Sequence, residues 1–310
     1  VTQPGILLTD KPEGPTSHDV VDEVRKKLRI KKVGHAGTLD PFASGLLILG
    51  IGSGTRILEY LMNHNKVYLV TMRLGTITET FDITGRVVEE RAVNLSTEKI
   101  LQTLKSFVGS YMQVPPAYSA RKYKGERLYE LAREGKIVRL PPRQVTVYRI
   151  EEIAIEGNDV TFVTEVSAGT YIRSLCMDVG YALGCGATAV KLRRLSIGPF
   201  EVAKAINVFE SDERTILSHL KPLSEVLDMP KVYLRTDGYE KAINGNTLRV
   251  YDVERFEKFS KNCLVQVIYK DQLLCIAKTE RASSFVKTLI DENRNEPLLK
   301  PVKVLKEKQP

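Results

Sequence analysis

The chain has 310 residues, enough for a sizeable core and more than one domain. Its composition, 43% hydrophobic and 27% charged, excludes a disordered protein, and its net charge of +8 favours polyanionic partners. No run approaches the roughly 18 apolar residues of a membrane helix, and the start, VTQPGILLTDKPEG, lacks the regions of a signal peptide, so a cytoplasmic location is expected.

ILLT, residues 6 to 9, reads as a short strand. PTSHDVVDEVRKKLRI predicts a helix capped by Thr16 or Ser17, with Asp19 in its first turn and Val20, Val21, Val24 and Leu28 on one face. GHAGTLDPFASGLL follows, residues 34 to 47. Small residues there predict a flexible loop, which presents Asp40 before the apolar run LLILGIG. KVYLVTMRLG, residues 66 to 75, is strand-like. STEKILQTLKSFVG predicts a helix with Ile100, Leu101, Leu104 and Val108 on one face and Gly109 as its stop. Residues 114 to 143 read as irregular and basic. VTVYRIEEIAIEGNDVTFVTEVSAG predicts a hairpin turning at EGND, TYIRSLCMDVGYALG a helix ending in Gly, and LRRLSIGPFEV a further strand. Beyond LKPLSEVLDMPKVYL, short strands broken by turn signals predict a small all-β module. The final KVLKEKQP, charged and core-poor, is where disorder is expected.

Charge divides unevenly. Residues 229–310 hold 16 Lys/Arg against 11 Asp/Glu, and residues 119–149 hold 9 against 3. Two basic patches suit a long polyanion better than a small metabolite, although either alone would pass for a solvated face. Cys176, Cys185, Cys263 and Cys275 form no C-x-x-C pair, and four histidines leave no cluster of zinc spacing. No metal is expected, and the thiols read as reduced and mostly buried. GIGSGT, residues 50–55, lacks the Lys-Ser/Thr of a phosphate loop and reads as a strand-to-helix turn. SARK, residues 119–122, has the S-x-x-K spacing of penicillin-binding enzymes but neither of their companion motifs.

Three polar residues remain that are odd as filler. Asp40 is either an Asx-turn former before Pro41 or a reagent. Tyr68 lies inside an apolar strand, where a buried ring is usually core. Arg173 opens a helix between apolar neighbours and needs a carboxylate partner there; Asp40 is a candidate.

In order along the chain, LLTDKPEGPTSHDVV, VGHAGTLDPFASGLL, KVYLVTMRLG, VPPAYSARKYKGERLYELAREG, SAGTYIRSLCMDVGYALGCGA and LRRLSIGPF closely resemble the bacterial tRNA pseudouridine-55 synthases of the TruB type. The resemblance runs from about residue 4 to 220; a looser one likens the C-terminus to a PUA RNA-binding module. Ala36 stands where many relatives have Thr.

The resemblance implies an α+β fold: a catalytic domain over residues 1–228 with a mixed, largely antiparallel central sheet, and a β-barrel-like PUA domain over 229–310. A basic RNA-binding insertion would span about 114–143. It implies isomerisation of uridine to pseudouridine at position 55 of the tRNA T-loop by a monomer, with neither metal nor other cofactor. Asp40 would be the catalytic carboxylate and Tyr68 a stacking partner of the uracil and candidate base. Arg173 would pair with Asp40. His35, Tyr171 and Leu192 would line the nucleotide site, and Lys11 would support the Asp40 motif from behind.

The chemistry suits these residue types. The N1–C1′ bond breaks and is remade at C5. A carboxylate can add to C6, trap C1′ or assist loss of the 2′ proton, and a base must take the C5 proton. Arg173 is expected to keep Asp40 ionised and lower its pKa. A rival without catalysis, an RNA-binding or chaperone protein, would not need Asp40, Tyr68 and Arg173 together. A guide-directed relative would carry long Lys-rich tails that this chain lacks.

Overall fold

The computed structural model describes residues 3–116, 122–123, 126–127 and 140–305. Strand β1 (Gly5–Lys11) leads into helix α1 (Ser17–Leu28). Thr16 caps that helix: its hydroxyl accepts the Asp19 N–H while the Asp19 carboxylate accepts the Thr16 N–H at 2.7 Å, satisfying two end groups reciprocally. β2 (Val33–Ala36) and β3 (Ser44–Ile51) follow. The turn at 50–55 is tight: a Cβ on Gly50 would stand 2.7 Å from the Gly54 backbone, so the glycines serve close packing. A 3₁₀ turn over Gly52–Arg56 then leads to α2 (Leu58–Met62).

β4 (Lys66–Leu74), the arm β5 (Thr76–Thr78) and β6 (Val87–Glu90), α3 (Thr97–Ser106) and β7 (Gly109–Gln113) come next. Helix α3 ends short of the expected stop, so Val108 leaves its face and is 44% exposed. Most of the basic 114–143 stretch lies outside the described residues. Within it β8 (Lys122–Tyr123) pairs with β9 (Glu126–Arg127). The hairpin β10 (Arg143–Glu156) and β11 (Asp159–Val166) precedes α4 (Ile172–Ala182), β12 (Ala187–Ile197) and β13 (Phe200–Glu201). The stretch expected as one strand is thus a hairpin, turning at Gly198 with φ 51°.

These strands form one sheet in the order β1-β3-β12-β4-β11-β10-β7, with β2 beside β3 and β13 beside β12. Among the described strands of this sheet only the β3–β12 ladder is parallel, so the sheet is mixed and largely antiparallel. β3 is buried along its whole length because the sheet is covered on both faces: Leu47 and Leu49 join one core, Leu46 and Ile48 a second.

After α5 (Glu213–Ser218) come β14 (Lys231–Leu234), α6 (Thr236–Ile243), β15 (Leu248–Arg249), β16 (Val253–Phe256), β17 (Leu264–Tyr269), β18 (Gln272–Thr279), α7 (Ser284–Asp291) and β19 (Pro297–Val304). Their sheet runs β15-β19-β18-β17-β14-β16. Its outermost strands, β15 and β16, are joined through the 3₁₀ turn Val250–Asp252, which curls the sheet into a nearly closed barrel. The module is not all-β: α6 and α7 lie within it. Gly238 weakens the helical signal of α6, but a Cβ there would meet the Asp252 carbonyl at 2.9 Å.

The second core crosses between the two sheets, packing Ile6, Leu8, Leu46 and Ile48 with Ile268, Leu273, Ile276 and Leu305. Leu305 is 1% exposed, so the expected C-terminal disorder does not begin at Lys303; residues 306–310 lie outside the described residues. Among the described residues no helix is long and apolar enough to cross a membrane.

Candidate active site

The Asp40 loop is fastened, not flexible. Its approach is strand β2, with His35 opposite Leu49. Beyond it, the Gly37 carbonyl accepts from Arg194 Nη2 at 3.0 Å. Ser17 exchanges hydrogen bonds with the Leu39 backbone, donating to the carbonyl at 3.1 Å and accepting from the N–H at 2.9 Å. The Pro41 carbonyl accepts from the Gly14 N–H at 2.8 Å and lies 3.4 Å from Lys11 Nζ. Lys11, fully buried, also donates to the carbonyls of Pro12 and Pro15. It therefore stands behind the Asp40 loop rather than in the cleft.

Arg173, the second residue of α4, faces this loop. Its Nε lies 2.9 Å from Asp40 Oδ2 and its Nη2 3.3 Å from Oδ1, a two-pronged pair that fixes the carboxylate's plane. On its other side Nη1 lies 3.2 Å from Asp82 Oδ2 and 2.8 Å from the Thr80 carbonyl. Asp82, missed in the sequence, is itself held by the Thr84 N–H at 3.0 Å and the hydroxyls of Thr80 and Thr84.

Asp40, Tyr68, Tyr171, Arg173 and Leu192 line one cleft of about 360 Å³. Tyr68 reaches it from the inward face of β4 and is 6% exposed. His35 is not part of the lining. Three cations missing from the sequence reading are: Lys66, Arg143 and Arg194. Lys66 precedes Tyr68 by two positions, so strand alternation puts both on one face, and that spacing was a usable signal.

Burial pushes the Asp40 carboxyl above its usual range; Arg173 opposes that shift and the neighbouring Asp82 charge reinforces it. The expected lowering is thus reversed, because desolvation outweighs the arginine. Burial also lowers Lys66 to about 8, helped by the Arg194 charge, and lowers Lys11 to about 8 against the pull of Asp40. The arrangement offers a partly exposed carboxylate, a phenol and a cationic wall around a space for a planar, uncharged ring joined to an anionic backbone. Among the described residues no three His, Cys, Asp or Glu side chains converge as metal ligands would.

Residues 25–172 match the family model for the N-terminal domain of TruB family pseudouridylate synthases, and residues 173–228 that for the tRNA pseudouridylate synthase B C-terminal domain. A tRNA pseudouridine synthase B from Thermotoga maritima is 55% identical over 297 residues, covering 95% of this chain and 96% of its own. One from Thermosipho melanesiensis is 54% identical over 304 residues, covering 98% and 99%. Among solved structures, an H/ACA ribonucleoprotein bound to a substrate RNA containing 2′-deoxyuridine superposes with a TM-score of 0.71 at 28% identity, covering 98% of this chain and 86% of that one.

Proposed function

This chain belongs to the TruB family of pseudouridine synthases, an isomerase that turns uridine into pseudouridine in tRNA, and from that premise we propose that its target is position 55 of the T-loop and that Asp40 is the catalytic carboxylate. The observation that carries the assignment of Asp40 is the two-pronged Asp40–Arg173 pair at the wall of the cleft that holds Tyr68. A mere turn former would have no need of a buried arginine.

The target uridine leaves its stack at a cost of roughly a few kcal/mol, and lies on Tyr68 with Leu192 and Tyr171 around it. The N1–C1′ bond breaks, the uracil turns, and C5 bonds to C1′; the proton that C5 then carries leaves to a base, for which Tyr68 is the candidate. In all three routes open to Asp40 (addition to C6, capture of C1′, removal of the 2′ proton) the reacting form is the carboxylate, which Arg173 stabilises and orients. Residues 1–228 act as the catalytic domain and 114–143 as its RNA-binding insertion. Residues 229–310 act as a PUA-like module, whose own concavity sets Arg235, Arg255 and Lys270 beside Tyr233 and Tyr269. We place the enzyme in the cytoplasm, acting as a monomer, with phosphate contacts offsetting the unstacking.

The test is a map of pseudouridine, by mass and primer extension, in a tRNA transcript treated with the protein. Modification is expected at position 55 and at no other uridine; modification elsewhere sinks the T-loop assignment. Tyr68→Phe keeps the ring and removes the hydroxyl. With Tyr68 as the base it should lose activity on the order of 100-fold while tRNA affinity holds, and a variant of near-parental rate would leave Tyr68 as a stacking surface only.

A further inference from the structure

Helix α4 begins without a cap of its own. Its N-cap residue is Tyr171, whose side chain makes no capping hydrogen bond. The ring lines the cleft instead, with the Arg143 guanidinium 5.2 Å from its centroid. Ser, Thr, Asp or Asn at that position would satisfy an N–H of the first turn. A tyrosine there leaves the helix start to be held from outside.

Strand β7 supplies that hold. Gln113, the last residue of β7 and 1% exposed, accepts the Tyr171 N–H on Oε1 at 2.8 Å. It also donates from Nε2 to the Tyr171 carbonyl at 3.1 Å. At the third residue of the helix, the Ser174 hydroxyl donates to the Val114 carbonyl at 3.0 Å. In a capping box the third residue's own side chain takes the N-cap N–H. Here that exchange is split between two elements: Ser174 reaches out to Val114, just past β7, and the strand's Gln113 takes the N–H. The Gln113 amide is set in turn by the Tyr111 hydroxyl at 2.6 Å, which lies 3.3 Å from Asp178 further along α4. Between the two fastened residues, Tyr171 and Ser174, sits Arg173.

We propose that Gln113 is a positioning residue for the isomerisation, an external cap that sets the Tyr171 ring and, through the first turn of α4, the Arg173 guanidinium against Asp40. The inference rests on the reading of Asp40 and Arg173 as the reacting pair. Gln113 touches no reacting atom; it acts by fixing where the arginine stands.

The test uses Gln113→Met in the full chain, which keeps length and volume and removes both hydrogen bonds to Tyr171. Under single-turnover conditions pseudouridine formation is expected to fall ~30-fold to ~100-fold, the scale of a misplacement of about 1 Å, with the tRNA dissociation constant within about 3-fold of the parent's. Thr9→Val provides the structural baseline. It removes an equally buried donor, the hydroxyl that bonds the Leu47 carbonyl at 2.7 Å, from β1 at the far end of the strand order. Its melting temperature should drop comparably while its rate stays within about 2-fold. A Gln113→Met rate within about 3-fold of the parent's, a loss lying in tRNA affinity, or equal rate losses in both variants overturns the proposal.

Should Gln113→Met fail to fold, Ser174→Ala removes the other fastening. A rate loss at retained affinity supports the proposal, and a parental rate overturns it. Asp40→Asn run alongside keeps the two readings apart. An active Asp40→Asn sinks the reacting pair, whereas an inactive Asp40→Asn beside an unimpaired Gln113→Met sinks only the external cap.

Discussion

Asp40 and Arg173 meet over one sheet whose two ends are built differently. The Asp40 side, β1 and β3, is buried on both faces and shares its second core with the C-terminal barrel. The other end, β10 and β7, has no further strand beyond β7 among the described residues, and Met112 of β7 is 60% exposed. It is tied to α4 by side-chain hydrogen bonds. The carboxylate's loop is held by hydrogen bonds at Gly37, Leu39 and Pro41, while the arginine's helix is packed into the first core through Ile172, Leu175, Cys176 and Val179 and is fastened at its start by Gln113. That division predicts different failures on the two sides.

The largest effect should come from cutting the shared core. Without residues 229–310, Ile6, Leu8, Leu46 and Ile48 lose their partners Ile268, Leu273, Ile276 and Leu305. Exposing a large apolar side chain costs about 1.5–3 kcal/mol, against a total stability of about 5–15 kcal/mol. Residues 1–228 alone are expected to lack a cooperative melt by circular dichroism. A melt at the parental temperature would show that the buried half stands without the barrel. Asp40→Asn comes next. Turnover should fall at least ~10⁴-fold with the fold and tRNA affinity retained, because the loop's fastenings are backbone groups that the substitution leaves alone; measurable turnover near the parental rate would refute the carboxylate's role.

A subtler probe acts through Asp82. The Asp40 carboxyl titrates above its usual range and, in the proposed role, reacts as the carboxylate, so activity should fall on acidification before that range is reached. Asp82→Asn removes a negative charge that raises Asp40, and the acid limb of the rate profile should move to lower pH. A limb that stays in place, or moves up, would mean that another group sets it. Smallest is Asp178→Asn, on the open side. Burial raises Asp178 from 3.8 to about 6, so the folded state holds its proton more tightly than the unfolded one. Its favourable contribution is complete below 3.8 and lost as pH rises through about 6. The variant should therefore melt higher at neutral pH, by about 2 °C, and equal the parent in acid. A gain that persists in acid would point to packing instead.

The same two halves differ in how well the sequence announces them. The apolar runs at 46–49 and 66–75 and the capping signal at Thr16 read directly as the strands and helix found, because burial and capping leave local patterns. β2 did not, since VGHA has too few large residues to mark a strand and is held by pairing with β3. In the cleft, Asp40, Tyr68 and Arg173 stood out as polar residues in apolar settings. Asp82 did not: it sits in the polar stretch ETFDITG and forms a local Asx-turn with Thr84, while its other oxygen meets Arg173. Adjacent Arg193 and Arg194 look alike in sequence, yet strand alternation sends one to Asp10 at 2.7 Å and buries the other against the Leu46 carbonyl. The sign of the Asp40 shift was unreadable for a related reason: it depends on how much water the cleft admits, and no spacing encodes that.

The buried amine of Lys11, with its three proline carbonyls, settles a question of motion. Swinging Asp40 outward by even a few ångströms would take the Pro41 carbonyl from that ammonium and undo the bonds at Gly37, Leu39 and Pro41 together. With Asp40 as the catalytic carboxylate proposed above, the part that travels is the nucleic acid, whose base covers the distance to it.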